Sequence, residues 1–201
     1  MDKRKSAVLL HITSLPGPFH KGVLGKEAHQ FIDAMVAGGF SVWQFLPLGP
    51  THSHGSPYES LSTFAGNPEL IDLRPCESAG WLPQHTSLEQ VSAEQHALYR
   101  QQAAAQFWLD VQTHAELAQQ VAAFQQAHAY WLDDFALFSA LKSATNNAAW
   151  WQWSDDLRTR NQDALQAARK THQTLIQQVI FEQFLFDTQW KNIKTYAKSK
   201  D

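Results

Sequence analysis

Cysteine is almost missing from this chain: Cys76 is the only one in 201 residues. A lone thiol forms no internal disulfide, and the paired spacing of a structural zinc site is absent with it. A reducing, cytoplasmic setting is the expectation that follows. Long apolar runs are missing too. Behind the basic start Lys3-Arg4-Lys5 the apolar stretch runs only from Ala7 to Leu10, far shorter than the apolar region of a signal peptide. No run approaches the roughly 20 apolar residues that span a bilayer, so no membrane partner is expected. Charge of one sign is also scarce. Sixteen Lys and Arg against nineteen Asp and Glu leave a net charge of -3 with no basic stripe, which removes nucleic acid from the expected partners.

Aromatic residues, by contrast, are plentiful, with 8 Trp and 12 Phe. An indole or phenyl face suits the apolar C–H side of a pyranose ring, although most such rings serve a core because they carry large buried area. At 44% hydrophobic and 17% charged residues the chain reads as globular, with length enough for one or two domains.

Two halves follow different patterns. Ala7-Val8-Leu9-Leu10-His11-Ile12 is a short apolar run of the kind found in a buried parallel strand. Pro16, Gly17 and Pro18 break it into a loop. From about Lys26 the residues Ala28, Phe31, Ile32, Met35 and Val36 fall on one helical face, and Gly38-Gly39 end it. Ser41 to Pro47 reads as a second strand. Strand, helix, strand with short connections makes a parallel βαβ unit, and such units bind ligands at the carboxyl ends of their strands. Here those ends are His11 onward and Leu46 onward, and the second opens into a long polar loop reaching Gly66-Asn67-Pro68. From about Leu88 the pattern turns helical, with helices expected near 88–106, 107–126, 128–144 and 162–198. The last is long enough to require a kink or two helices in series. Ser154 is placed to cap a helix after Trp150-Trp151-Gln152-Trp153.

Several chemistries fail on residue type. Gly22-Val23-Leu24-Gly25-Lys26 looks superficially like a phosphate loop, but Glu27 stands where Ser or Thr would hold magnesium, and His20 takes an earlier glycine position. His52-x-His54 is the only close histidine pair, and no cysteine or carboxylate cluster joins it. Ser56 has no serine elbow around it. Glycoside chemistry needs two carboxylates flanking the scissile bond. Near the strand ends stand only Glu59 and Asp72, each more simply a loop or capping residue. Asp133-Asp134 and Asp155-Asp156 sit near helix starts, where the helix dipole accounts for them. Spacing alone defines no catalytic pair.

The loop blocks carry a resemblance. Val8-Leu9-Leu10-His11-Ile12-Thr13-Ser14-Leu15-Pro16-Gly17-Pro18 closely resembles the opening of the 4-alpha-glucanotransferases (amylomaltase, or disproportionating enzyme, of glycoside hydrolase family 77). So do Trp43-Gln44-Phe45-Leu46-Pro47-Leu48-Gly49-Pro50-Thr51 and Ser56-Pro57-Tyr58-Glu59-Ser60 with Phe64-Ala65-Gly66-Asn67-Pro68. Tyr130 to Phe138, and Phe184-Leu185-Phe186 with Gln189-Trp190, follow in the same order.

The resemblance implies an α/β fold: the start of a (β/α)₈ TIM barrel, two parallel strands with one crossover helix, plus a large helical insertion. Residues 1–74 would be the barrel's first βαβ part with the sugar-site loop, 75–160 the helical insertion, and 161–201 a long helix leading back. It implies a retaining transfer of α-1,4-glucan segments to a glucan or glucose acceptor, with no metal and no organic cofactor. Ser56 and Tyr58 fall on the loop that touches sugar in the family. The family's catalytic carboxylates follow later strands, so this stretch is expected to be inactive alone, its barrel incomplete, with a carboxy-terminal fragment as the completing partner. The alternative is a non-catalytic glucan-binding or complementing fragment, or the remnant of a broken gene. Three positions depart from the family. Gly55 replaces the usual Asp before Ser-Pro-Tyr, Ser53 replaces an outer tyrosine, and the loop His20 to Gly25 lacks the family's acidic residue.

Overall fold

In the computed structural model, which describes residues 4–52 and 54–200, strands β1 (Ala7–Leu9) and β2 (Val42–Gln44) pair in parallel. Ala7 stands opposite Val42 and Leu9 opposite Gln44. Helix α1 (Lys26–Ala37) makes the crossover, burying Ala28, Ile32 and Met35 as its periodicity requires. Gly39 follows it at φ +74°, a left-handed backbone that glycine adopts without strain. The expected burial of the first strand does not hold, since Leu9 is 61% exposed. Each strand has only the other beside it among the described residues, so the outer edge of each has no strand partner there.

The remaining elements are helical: α2 (Arg74–Ser78), α3 (Ala93–Thr113), α4 (Ala115–His128), α5 (Leu132–Ala144), α6 (Asp155–Arg158), α7 (Gln162–Thr171) and α8 (Gln173–Lys198). The expected helix over 162–198 is two helices in series, broken at His172. Helix α3 starts five residues later than expected, because Ser92 and Gln95 form a reciprocal cap. Ser92 Oγ accepts from the Gln95 amide at 3.2 Å while Gln95 Oε1 accepts from the Ser92 amide at 2.9 Å.

The chain divides into two compact units, Met1–Gln106 with Glu182–Asp201, and Phe107–Phe181. In the first, Ile12, Leu70, Ile71, Leu73 and Cys76 are fully buried. Four rings run edge to face from α1 through β2 to α8: Phe31, Trp43, Phe45 and Trp190, with centroids 4.9, 5.8 and 5.3 Å apart. In the second, Leu137, Leu141, Leu165 and Ala168 form a cluster packed by Trp153, Leu157 and Ile176. No helix among the described residues is long and apolar enough to cross a membrane.

Candidate functional site

The loop that leaves β2 makes an excursion closed at its base. Thr51 and Ser60 form an antiparallel bridge, the Leu61 amide donates to the Pro50 carbonyl at 3.0 Å, and Ser60 Oγ lies 3.1 Å from the same carbonyl. Gly55 turns the tip at φ +73°, its amide donating to the His52 carbonyl at 2.9 Å. The departure from Asp to Gly thus sits at a left-handed position where a Cβ would be strained but would meet nothing. Ser56 and Tyr58 both lie on this excursion. Ser56 is half-buried and its carbonyl accepts from the Glu59 amide at 3.3 Å. Tyr58 is 73% exposed, a large ring held out in water. Ser53, the position of the outer tyrosine, lies outside the described residues.

What fixes the far end of the loop is a pair of buried glutamines on α8. Gln183 Oε1 accepts from the Gly66 amide at 2.8 Å, and its Nε2 donates to the Gly66 carbonyl at 3.0 Å. Gln189 does the same to Asp72, at 2.9 and 2.8 Å. Each carboxamide thus stands in for one residue of a neighbouring strand, satisfying backbone groups that burial would otherwise leave unpaired. Between them Phe186 lies against Gly66 so closely that a Cβ there would collide with the ring. The Asn67 amide donates to the Leu48 carbonyl at 2.8 Å, tying the loop's end back to its start.

The loop from His20 to Gly25 is built for the same packing. A Cβ on Gly22 would strike the Ile12 carbonyl, and one on Gly25 would strike the Asp72 carboxylate. That carboxylate takes Arg74 Nε at 2.9 Å and Nη2 at 2.7 Å, and Arg74 also reaches Glu27 through Nη1 at 2.8 Å and Nη2 at 2.6 Å. The hydrogen bond from Arg74 holds the Glu27 carboxyl below its usual range despite burial, and the Arg74 guanidinium is correspondingly raised. Glu69 pairs with Lys21. Burial pushes Glu69 up, but the hydrogen bond and charge of Lys21, with the fields of His20 and Arg100, together outweigh it and the net shift is down.

Deeper in the same unit, His96 Nε2 donates to the Ile71 carbonyl at 2.9 Å, and Nδ1 accepts from Arg100 Nη1 at 2.5 Å. Arg100 Nε in turn donates to Glu182 at 2.9 Å. Burial and then the adjacent guanidinium push His96 down to about 4, so the ring is neutral, as these two bonds require.

Both sequence candidates for carboxylate chemistry are occupied structurally. Glu59 faces His54 at 2.9 Å, and Asp72 is buried in the Arg74 network. His52 and His54 come together, with centroids 6.0 Å apart, but no group of three His, Cys, Asp or Glu among the described residues is placed to hold a metal ion. Gln183 carried no sequence signal, being a polar residue inside an apolar stripe. Gln189 was visible only as part of a resembling block.

Comparison with known proteins places this geometry. The sequence profile of the 4-alpha-glucanotransferases matches residues 10–201, and the chain belongs to that family. It is 41% identical over 210 residues to a 4-alpha-glucanotransferase of Synechocystis sp., covering 100% of this chain and 41% of the relative. A Thermus thermophilus 4-alpha-glucanotransferase is 39% identical over 201 residues, covering 98% and 40%. Among solved structures, an amylomaltase from Streptococcus agalactiae in complex with acarbose superposes with a TM-score of 0.86 at 31% identity, over 98% of this chain and 42% of that one. The chain therefore spans about two fifths of the length of these relatives, and it has the fold of the corresponding part of the amylomaltase TIM barrel.

Proposed function

We propose that this chain forms the amino-terminal part of the glucan site of a 4-alpha-glucanotransferase, which moves α-1,4-glucan segments to the 4-hydroxyl of a glucan or glucose acceptor. The observation that carries the reading is the family match over residues 10–201 combined with the ordered loop that presents Tyr58. The exposed ring offers an apolar face to a pyranose, and the Ser56 hydroxyl bonds the sugar's edge. Residues 1–74 act as the barrel's opening βαβ part, 75–160 as a helical insertion and 161–201 as the return helix. A carboxy-terminal polypeptide carrying the remaining strands is the completing partner, docking where Leu9 is bare. The single buried thiol suits a cytoplasmic protein.

One observation favours the second reading, a chain that binds glucan but transfers nothing by itself: Asp72 is held in an ion pair with Arg74, and Glu59 contacts His54. A chimera decides between them. Residues 1–201 replace the matching segment of the Synechocystis relative, and the product is incubated with maltotriose. Glucose and longer maltooligosaccharides are expected from the chimera and neither from the 201-residue chain. A folded chimera without transfer would count against the proposal.

A further inference from the structure

The helical unit Phe107–Phe181 carries a half-open cavity of about 280 Å³, lined by residues 134–165 and by none of the loop residues around Tyr58. Leucines form its floor. Trp150, Trp153 and Phe138 line it, together with Asp134, Arg158 and Arg160. Three features single it out. The indole N–H of Trp153 is buried with no acceptor, whereas buried donors normally have one. Trp150, which lines the cavity, is 52% exposed, and its neighbour Trp151, edge to face with it at 5.9 Å, is 62% exposed, so two large rings stand largely in water. The charged groups are held in place: Arg160 donates to both oxygens of Asp134 at 2.9 and 2.8 Å, and Arg158 pairs with Asp155.

Apolar leucines, an aromatic wall and a fixed set of hydrogen-bonding charges describe an amphiphilic guest. An aliphatic chain would leave the charged groups unused. A small anion would meet Asp134 and a mostly apolar lining. A pyranose divides the same way as the cavity, with C–H faces for the indoles and a hydroxyl edge for Asp134, Arg158 and Arg160. The volume of about 280 Å³ lies just below the usual span of ligand pockets, about 300–1,000 Å³, and suits a small guest.

We propose that this cavity is a second glucan-binding site, holding one or two glucosyl units independently of the Tyr58 loop. The choice of an α-1,4-glucan among sugars rests on the function proposed above, whereas the sugar-binding chemistry rests on the cavity itself.

The test is a titration of the 201-residue chain with maltoheptaose, followed by the indole ¹⁵N–¹H signals. The Trp153 signal is identified by its loss in Trp153→Phe. It is expected to move saturably in the unchanged chain and equally in Tyr58→Ala. Calorimetry is expected to show Kd raised roughly tenfold in Trp150→Ala. Because Trp150 is half-exposed, its replacement leaves the far-ultraviolet spectrum and the melt unchanged, which separates lost binding from lost fold. A Trp153 signal that stays still at saturating maltoheptaose would overturn the proposal, as would binding abolished by Tyr58→Ala alone. Either failure leaves the chimera's transfer assay, and so the proposed function, standing on its own result.

Discussion

Replacing Gln183 with Leu tests how the site loop is held. The carboxamide satisfies both backbone groups of Gly66, and the side chain is 3% exposed, so no water replaces it. Leucine is close in size but leaves a buried N–H and a buried C=O without partners. At about 1–3 kcal/mol per unsatisfied group the loss is about 2–6 kcal/mol, less about 1 kcal/mol regained from the more apolar side chain. Against a domain stability of about 5–15 kcal/mol that is a large fraction. With a urea slope of about 1–3 kcal/mol per molar, the unfolding midpoint falls on the order of 1–2 M. Circular dichroism and tryptophan fluorescence read the same transition. Gln101→Leu, the same change at an exposed position of α3, is the control and shifts stability by less than about 0.5 kcal/mol. Equal midpoints for Gln183→Leu and Gln101→Leu would refute the idea that the loop hangs on this residue.

Three further outcomes are expected. His96 has a folded pKa of about 4 against 6.5 unfolded, so the unfolded state binds the extra proton first: its contribution is full above about pH 6.5 and is lost as pH falls towards 4. The full loss amounts to about 3 kcal/mol, about 2 kcal/mol of it between pH 7 and pH 5, where urea midpoints check it, and the drop shrinks in His96→Gln if the assignment is right. Gly66→Ala drives a methyl into Phe186 and lowers the melting temperature by several degrees, and adding Phe186→Leu recovers part of the loss; no loss in the single variant would show that the loop has slack. Cys76 is fully buried and burial pushes its thiol up to about 12, so an aromatic disulfide reagent at pH 7 labels it only in urea; rapid labelling of the folded chain would contradict its placement.

The βαβ unit was legible because its signals are local: two short apolar runs, a one-sided helical stripe and glycines at the right end. That the 162–198 helix would kink or divide was legible from its length, but the position of the break at His172 was not. Helix starts were less so. The Ser92-x-x-Gln95 cap moves the start of α3 to Ala93, and apolar spacing says nothing about a cap. The burial expected for Leu9 failed because a strand's cover comes from residues distant in sequence. The loop bearing Ser56 and Tyr58 could be named from its Ser-Pro-Tyr block, but its anchors could not. Gln183 and Gln189 look like solvent-facing polar residues until the structure sets each against a backbone segment 117 residues away. Likewise, nothing in Trp150-Trp151-Gln152-Trp153 tells a core cluster from a cavity wall, since that depends on where α5 and α7 lie.

If the loop held by α8 presents Tyr58 to the glucan, transfer kinetics must depend on that side chain. In the chimera with the Synechocystis relative, kcat/KM for maltotriose is measured with Tyr, Phe and Ala at position 58. Tyr58→Phe keeps the ring and removes one hydroxyl bond, worth about 0.5–1.5 kcal/mol of transition-state stabilisation, while Tyr58→Ala also removes the stacking face and costs more. At 73% exposed the side chain supports little of the fold, so equal melting temperatures are expected for all three. A graded fall in kcat/KM from Tyr to Phe to Ala is the expected result. Identical values for the three would contradict the claim and leave Tyr58 a surface residue of the loop.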